Sequence, residues 1–439
     1  MRFGTDGVRG AAFTELTLEF ATRLGVAAAR VLADGTSTIV VGGDTRESTP
    51  VLTDALCAGF EAGGLDVVRL GVVPTPLVAF EAQRRDALGA VVSASHNPFG
   101  DNGIKLFGRG GVKLSDALEQ RIEAELDGGI EAPAVSPSES VRTHLPLDPD
   151  AYVQHVLAFL EGRRLDGLRI VLDTANGAAH AIGPVVLRAA GAEVIVVADR
   201  PDGRNINNGC GATVPSFVAA IVREHGADVG VALDGDADRL IAVDHTGAVV
   251  DGDHILAIAA TDLHARGELR NDTVVVTVMT NLGFRLAMND AGLNVVETAV
   301  GDRYVLEALA AGDHSLGGEQ SGHVIFADHA TTGDGVLTAV ALLDAVHRAG
   351  RPLAEVASDA MTSLPQVLVN VRVATRLPDI AELLAGQIAA VEAELGDHGR
   401  VLVRPSGTEP LVRVMVEAPT HELAQSTAER LAAATRLLA

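Results

Sequence analysis

The sequence predicts an α/β protein: three α/β domains followed by a smaller C-terminal α+β domain. Three observations carry the prediction. A strand, polar loop, helix, glycine and strand recur three times, the signature of a βαβ unit. Each copy runs on into a further apolar strand that ends in an unusual polar loop. The chain beyond about Thr362 follows a different pattern.

The first copy is the apolar run 39–41, the loop 42–46, a helical stretch 51–62, then Gly64 and the apolar pair Val67 and Val68. The second is 170–172, the loop 173–177, a helical stretch 184–190, then Gly191 and 194–197. The third is 274–278, the loop 280–283, a helical stretch 284–290, then Gly292 and the pair Val295 and Val296. The glycine after each helix suits a left-handed C-terminal cap. The continuing strands are 90–92, 229–233 and the short run at Leu316. Strands buried on both faces read as unbroken apolar runs, so these belong in the middle of sheets. Ligands of open α/β sheets bind beyond the carboxyl ends of the strands, which places the three polar loops at one candidate cleft.

The last stretch alternates at 367–373, turns helical at 379–395, and has strands at 400–403 and 412–417 before a final helix at 421–438. That is a small α+β domain. Candidate linkers fall at 128–149, near 244–253 and around 358–365. The resulting domains are 1–148, 149–248, 249–360 and 361–439.

The 439 residues carry 34 positive and 58 negative side chains, a net charge of −24. That balance argues against a nucleic-acid or anionic membrane partner and leaves room for a small anion held at a local positive site. No apolar run approaches the roughly 18 residues of a membrane span, and no signal stretch follows Met1, so a cytoplasmic protein is expected. Cys57 and Cys210 are too few for a disulfide framework or a cysteine zinc site. Only two lysines occur, Lys105 and Lys113, and the remaining positive side chains are arginine. A genome-wide compositional bias accounts for that scarcity; a functional reason to keep Lys105 is the sharper alternative.

Four loops carry chemistry. Asp234, Asp236 and Asp238 stand at alternate positions, so their carboxylates converge and call for a hard divalent cation. An EF-hand is disfavoured, because its sixth and twelfth positions are Arg239 and His245. The bland reading is an acidic turn that caps a helix. Ser95, in Ser-Ala-Ser-His-Asn-Pro, is a hydroxyl at a strand end that suits a nucleophile or phosphoryl acceptor, or an ordinary turn before Pro98. His96 orients that hydroxyl or caps the turn. Glu319 and Ser321 lie between glycines that let a ligand approach the backbone, and can hold two sugar hydroxyls or form a solvated turn. His323 is a candidate proton carrier or a packing residue. Arg404-Pro-Ser-Gly-Thr-Glu-Pro, with Ser406, Gly407, Thr408 and nearby Arg413, is a phosphate cradle or an exposed Pro/Gly turn. Arg9, in the glycine-spaced opening, is a further phosphate contact. No Walker loop or dinucleotide fingerprint is present, which disfavours ATP and dinucleotides.

Together the Ser-Ala-Ser-His-Asn-Pro, Asp-Gly-Asp-Ala-Asp-Arg, Gly-Glu-Gln-Ser-Gly-His and Arg-Pro-Ser-Gly-Thr-Glu-Pro loops resemble the signature set of the α-D-phosphohexomutases, in the family's order and across nearly the whole chain. The opening Phe-Gly-Thr-Asp-Gly-Val-Arg-Gly, Gly-Val-Val-Pro-Thr-Pro at 71–76 and Val-Gly-Asp-Arg-Tyr-Val at 300–305 look like the bacterial phosphoglucosamine mutase branch.

The resemblance implies three α/β domains of shared mixed-sheet topology and a fourth of different fold around one cleft. It implies an isomerase, an intramolecular phosphotransferase that interconverts glucosamine 6-phosphate and glucosamine 1-phosphate and supplies UDP-N-acetylglucosamine and cell-wall precursors. Ser95 would carry the phosphoryl group, and Asp234, Asp236 and Asp238 would bind one Mg2+ with it. Glu319 and Ser321 would hold sugar hydroxyls. Arg404, Ser406, Gly407, Thr408 and Arg413 would grip the phosphate that does not react. Arg9, His96, Lys105 and Arg239 match positions near the transfer site, and His323 matches a candidate acid/base. Glucosamine 1,6-bisphosphate would serve as primer and intermediate. The expected partner is a small-molecule sugar phosphate, with a homodimer as an option. The alternatives are a phosphomannomutase/phosphoglucomutase of the same chemistry, or a sugar-phosphate phosphohydrolase.

Overall fold

The computed structural model describes residues 1–4, 6–130, 149–375, 377–405 and 410–438. Most of the expected linker 128–149 lies outside the described residues, as do Ser406, Gly407 and Thr408. Two compact units are present: Met1–Met279 with Leu293–Ala360, and Thr280–Gly292 with Met361–Ala439.

The first unit contains three mixed sheets. The first is built from β1 (Val8–Ala11), β2 (Thr38–Gly43), β3 (Asp66–Val72), β4 (Leu88–Val92), β5 (Asp101–Gly108) and β6 (Val112–Lys113). Its order is β1-β5-β4-β2-β3, with β6 on β5. The second, β7 (Arg169–Asp173), β8 (Glu193–Val197), β9 (Val229–Leu233), β10 (Leu240–Asp244) and β11 (Val249–Val250), has the order β11-β10-β9-β7-β8. The third, β12 (Thr273–Thr277), β13 (Asn294–Thr298), β14 (Leu316–Gly318) and β15 (Val324–Phe326), has the order β13-β12-β14-β15.

The repeat is one topology used three times. β2, β7 and β12 each pair in parallel with the strand after their helix and with the central strand β4, β9 or β14. An antiparallel strand then returns on that central strand: β5, β10 or β15. Every residue of β4, β9 and β14 is buried, as their unbroken apolar sequences require. Gly64, Gly191 and Gly292 have φ of 92°, 109° and 74°, the left-handed positions that follow the helices Thr49–Ala62, Ile182–Ala189 and Leu282–Asp290.

The structure moves some boundaries. Gly317 and Gly318, expected in the loop, are the last residues of β14. There the return strand doubles back so tightly that a Cβ on Gly318 would stand 2.4 Å from His323 O. The segment 244–253, read as a linker, is a hairpin: β11 pairs back on β10, and Asp251 then caps the helix Gly252–Ala265.

The second unit has an antiparallel sheet, β16 (Gln366–Arg372), β17 (Arg400–Pro405) and β18 (Leu411–Glu417), in the order β16-β18-β17. Its helices are Ile380–Leu383, Ala385–Leu395 and His421–Arg436. The helix Leu282–Asp290 also belongs to this unit, pinned by Leu282 N donating to Glu417 Oε2 at 2.8 Å and Arg400 Nη2 donating to Thr280 O at 2.8 Å. No described helix is long and apolar enough to cross a membrane.

Candidate active site

Ser95 follows β4, fully buried, with φ of 51°. Its Oγ donates to Asp234 Oδ2 at 2.5 Å and lies 3.2 Å from His96 Nδ1. The two residues are 139 positions apart and belong to different repeats. Arg239 Nη1 lies 3.2 Å from the same His96 nitrogen. Burial, with Arg239 and Arg9 nearby, brings the His96 imidazole down to about 4, so the ring is neutral and Nδ1 is an acceptor. Arg9 pairs with Asp6 and reaches Ala94 O at 3.5 Å.

Asp234, Asp236 and Asp238 fill the turn between β9 and β10, where one oxygen from each lies within 4.8 Å of the others. All three are buried. The turn needs Ala237 at φ 58°, and Gly335 N holds Ala237 O at 3.0 Å. Thr75 fixes Asp236 twice: Oγ1 donates to Oδ2 at 2.7 Å and the backbone N–H to the Asp236 carbonyl at 3.0 Å. Lys105 Nζ stands 2.8 Å from Asp236 Oδ2, 2.9 Å from Asp238 Oδ2 and 2.9 Å from Asp6 Oδ2. Lys113 pairs with Asp302 and reaches Asp6 Oδ1 at 3.4 Å. Both lysines of the chain therefore converge on Asp6.

Charge is divided unevenly among the carboxylates. Burial and then the charges of Asp238 and Asp236 push Asp234 well above the usual carboxylate range. Burial opposes ionisation of Asp238 too, but Lys105 and His323 outweigh it and hold that carboxyl low. Lys105 is raised: burial disfavours its charge, and three carboxylates override burial. Asp236 Oδ1 and Asp238 Oδ1 are buried and make no hydrogen bond. Three converging carboxylates with two such oxygens fit a hard cation that takes oxygen ligands. The triad can hold a metal.

The third loop is tied to the second by Leu240 N, which donates to Gly322 O at 3.0 Å. Glu319 Oε1 accepts from Gly301 N at 3.2 Å. Ser321 is exposed at the tip of the same turn. His323 is buried, its Nε2 accepting from Gly333 N at 3.2 Å and its Nδ1 3.7 Å from Asp238 Oδ2. The first unit thus brings Ser95, His96, Arg9, Lys105, Asp234, Asp236, Asp238, Arg239 and His323 into one cluster, with Glu319 and Ser321 on the adjoining loop. Arg404 and Arg413 belong to the second unit, where they face each other in the register of β17 and β18.

Comparison with known proteins adds the identity. Four descriptions of one family match in order: phosphoglucomutase/phosphomannomutase alpha/beta/alpha domains I, II and III over residues 1–132, 150–247 and 251–364, and the C-terminal domain over 368–434. The chain belongs to the phosphoglucomutase/phosphomannomutase family. Within these phosphohexomutases it falls in the phosphoglucosamine mutase branch. A phosphoglucosamine mutase of Thermobifida fusca is 54% identical over 99% of this chain and 98% of its own length. One from a Nocardioides species is 55% identical over 98% and 97%. This phosphohexomutase is accordingly an isomerase. Its fold is also that of a family protein from Burkholderia thailandensis, with a TM-score of 0.79, 24% identity and coverage of 98% and 96%.

Sequence reasoning missed several residues of this phosphohexomutase site. Thr75 sits in a Pro-Thr-Pro stretch that served only to mark the branch. Asp6, Lys113 and Asp302 form the charged layer behind Lys105, and the rarity of lysine was the signal for Lys113. Asp44, Arg46 and Asn207, described below, lie in ordinary polar loops with no signature of their own.

Proposed function

We propose that this phosphohexomutase interconverts glucosamine 6-phosphate and glucosamine 1-phosphate, with Ser95 carrying the phosphoryl group in transit. The observation that carries the reading is the buried Ser95 hydroxyl, 2.5 Å from a carboxylate of the Asp234–Asp236–Asp238 cluster. The relatives at 54% and 55% identity, named phosphoglucosamine mutases, favour the 2-amino sugar over glucose or mannose.

In the first half-reaction the bond from phosphorus to Ser95 Oγ breaks, and a bond forms from phosphorus to the free hydroxyl oxygen of the sugar phosphate. The hydroxyl's proton ends on Ser95 Oγ, whose O–H then hydrogen-bonds to Asp234. Glucosamine 1,6-bisphosphate results, and in the second half-reaction its other phosphoryl group returns to Ser95 with the proton travelling back. Asp234, Asp236 and Asp238, with the phosphoryl-bearing Ser95, are the ligands for Mg2+, which when bound neutralises charge on the transferred phosphoryl oxygens. Arg9, Lys105 and Arg239 supply fixed positive charge around Ser95. His96 offers a neutral acceptor beside it, and His323 bridges Asp238 and the backbone at Gly333. Glu319 and Ser321 hold sugar hydroxyls.

Burial and the charge of Arg413 lower the Arg404 guanidinium, and two arginines paired across β17 and β18 make a locally positive face suited to an anion. That supports assigning Arg404 and Arg413, with Ser406, Gly407 and Thr408, to the unreacted phosphate. Domain limits of 1–148, 149–248, 249–360 and 361–439 and a cytoplasmic location complete the reading, with a homodimer as an option.

The test supplies glucosamine 6-phosphate, Mg2+ and a trace of the bisphosphate. The expected result is interconversion without steady release of inorganic phosphate, gain of one phosphoryl group on Ser95 by intact mass, and loss of activity on chelation that Mg2+ restores. Ser95→Ala is expected to lower kcat by about 10³-fold or more while sugar-phosphate binding persists. Full activity in that variant removes Ser95 as the carrier. Faster turnover of glucose or mannose phosphates makes the chain a sister mutase, and steady phosphate release a hydrolase.

A further inference from the structure

Ser95 holds φ at 51°, a region that residues other than glycine enter only when their surroundings fix them there. Two side chains account for it. Arg46 Nη2 donates to Ser95 O at 3.1 Å and to Asn97 O at 2.5 Å. Asn207 Nδ2 donates to the same two carbonyls, at 2.9 Å and 3.1 Å. Each of these nitrogens has two hydrogens and each carbonyl two lone pairs, so the four bonds form a matched set.

Arg46 is fully buried and pairs with Asp44. Asp44 also accepts from Thr49 Oγ1 at 2.8 Å and Ser93 Oγ at 2.6 Å, and Ser93 Oγ in turn accepts from Ser95 N at 3.0 Å. The arginine is thus anchored to the loop it grips. Asn207 arrives from the second repeat, with φ of 57° and its backbone N–H on Ala175 O at 2.9 Å. Asp234 belongs to that repeat too. The Ser95 carbonyl further packs so closely on the aspartate turn that a Cβ on Gly235 would lie 2.5 Å from it.

We propose that Arg46 and Asn207 are positioning residues of the phosphoryl transfer, a two-donor grip on the Ser95 and Asn97 carbonyls that holds Ser95 left-handed and aims Oγ at Asp234. The inference rests on the reading of Ser95 as the carrier. Backbone orientation at an α-carbon sets where Cβ points, and an L-residue released from such a grip returns to negative φ. Oγ then turns away from Asp234. Because one donor comes from each repeat, the grip also ties the hydroxyl to the carboxylates it must meet.

Asn207→Gly is the decisive variant, since glycine accepts the positive φ of this half-exposed position while losing the amide. Asn207→Asp keeps the shape but turns acceptors toward two carbonyls, and Arg46→Lys keeps the charge while offering no planar fork. We expect Asn207→Gly and Arg46→Lys to lower kcat about tenfold and Asn207→Asp further, with KM for glucosamine 6-phosphate within about threefold, the range for a lost outer support of a reacting group. For Asn207→Gly the melting temperature should stay within about 2 °C. Glu47→Gln breaks an exposed ion pair to Arg204 that joins the same two segments, and is expected to leave kcat unchanged.

Wild-type kcat in both Asn207 variants overturns the grip. So does a rise in KM without a fall in kcat, or a loss in Glu47→Gln as large as in Asn207→Gly. Full turnover by Ser95→Ala overturns the carrier reading instead, whatever the Asn207 variants do.

Discussion

The turn after β2 and the turn after β7 are the same device put to different uses. In each an aspartate at the strand end accepts the backbone N–H two residues on: Asp44 from Arg46 at 3.0 Å, Asp173 from Ala175 at 2.8 Å. In the first repeat that second residue is an arginine, and Asp44 also binds its guanidinium and two hydroxyls. In the second it is an alanine, and Asp173 adds only Gly211 N, at 2.6 Å. The third repeat does the same job with a neutral group, Thr277 Oγ1 accepting from Met279 N at 3.3 Å. The scaffold needs only the acceptor. Charge has been added where a reactive loop must be held.

The largest expected effect breaks the charged version. Asp44→Asn leaves Arg46 buried without its counter-ion, and a broken buried pair of this kind costs about 3–5 kcal/mol. Urea unfolding should register a loss of that size, and kcat should fall with it because Arg46 no longer addresses the Ser95 carbonyl. A stability within about 1 kcal/mol of wild type would mean that the pair is not buried as described.

Asp173 offers the next effect, through pH. Burial pushes its carboxyl up to about 6 despite two backbone donors. The unfolded value is about 3.9. Between the two the folded state holds the extra proton, so this group's stabilisation is complete below about pH 4 and is lost as pH rises through about 6. Asp173→Asn cannot titrate. The stability of wild type relative to the variant should therefore fall by about 2 kcal/mol from pH 4 to pH 7. A gap that stays constant would show that Asp173 does not titrate in that window.

The smallest effect belongs to the third repeat. Ser321 is exposed at its turn, in contrast with the buried Ser95 and aspartates. Ser321→Ala should raise KM for glucosamine 6-phosphate only about two- to fivefold, the scale of one hydrogen bond to an accessible hydroxyl, with the melting temperature unchanged. A fall in kcat comparable to that of Ser95→Ala would erase the distinction between a buried transfer centre and an accessible sugar edge.

Much of this was readable in one dimension because the determinants are local. Alternate aspartates converge through backbone geometry within five residues, and the three capping glycines sit where each helix must stop. The βαβ repeat follows from apolar runs that only a strand buried on both faces requires. The return strands β10 and β15 were not readable, since each follows a polar loop without a motif that marks it as a strand, and the second-unit location of the helix Leu282–Asp290 was hidden because its sequence is that of any repeat helix.

By itself, then, the chain's order of residues determined which polar loops follow the central strands and which strands lie in the sheet centres, since turn chemistry and burial period act over a few neighbours. Only the tertiary structure decided that Ser95 meets Asp234, that Thr75 steadies Asp236, that two scarce lysines share Asp6, and that Arg46 and Asn207 close on the same two carbonyls. Those contacts join segments up to 161 residues apart, and their partners are common polar side chains whose significance exists only once packing has excluded water around them.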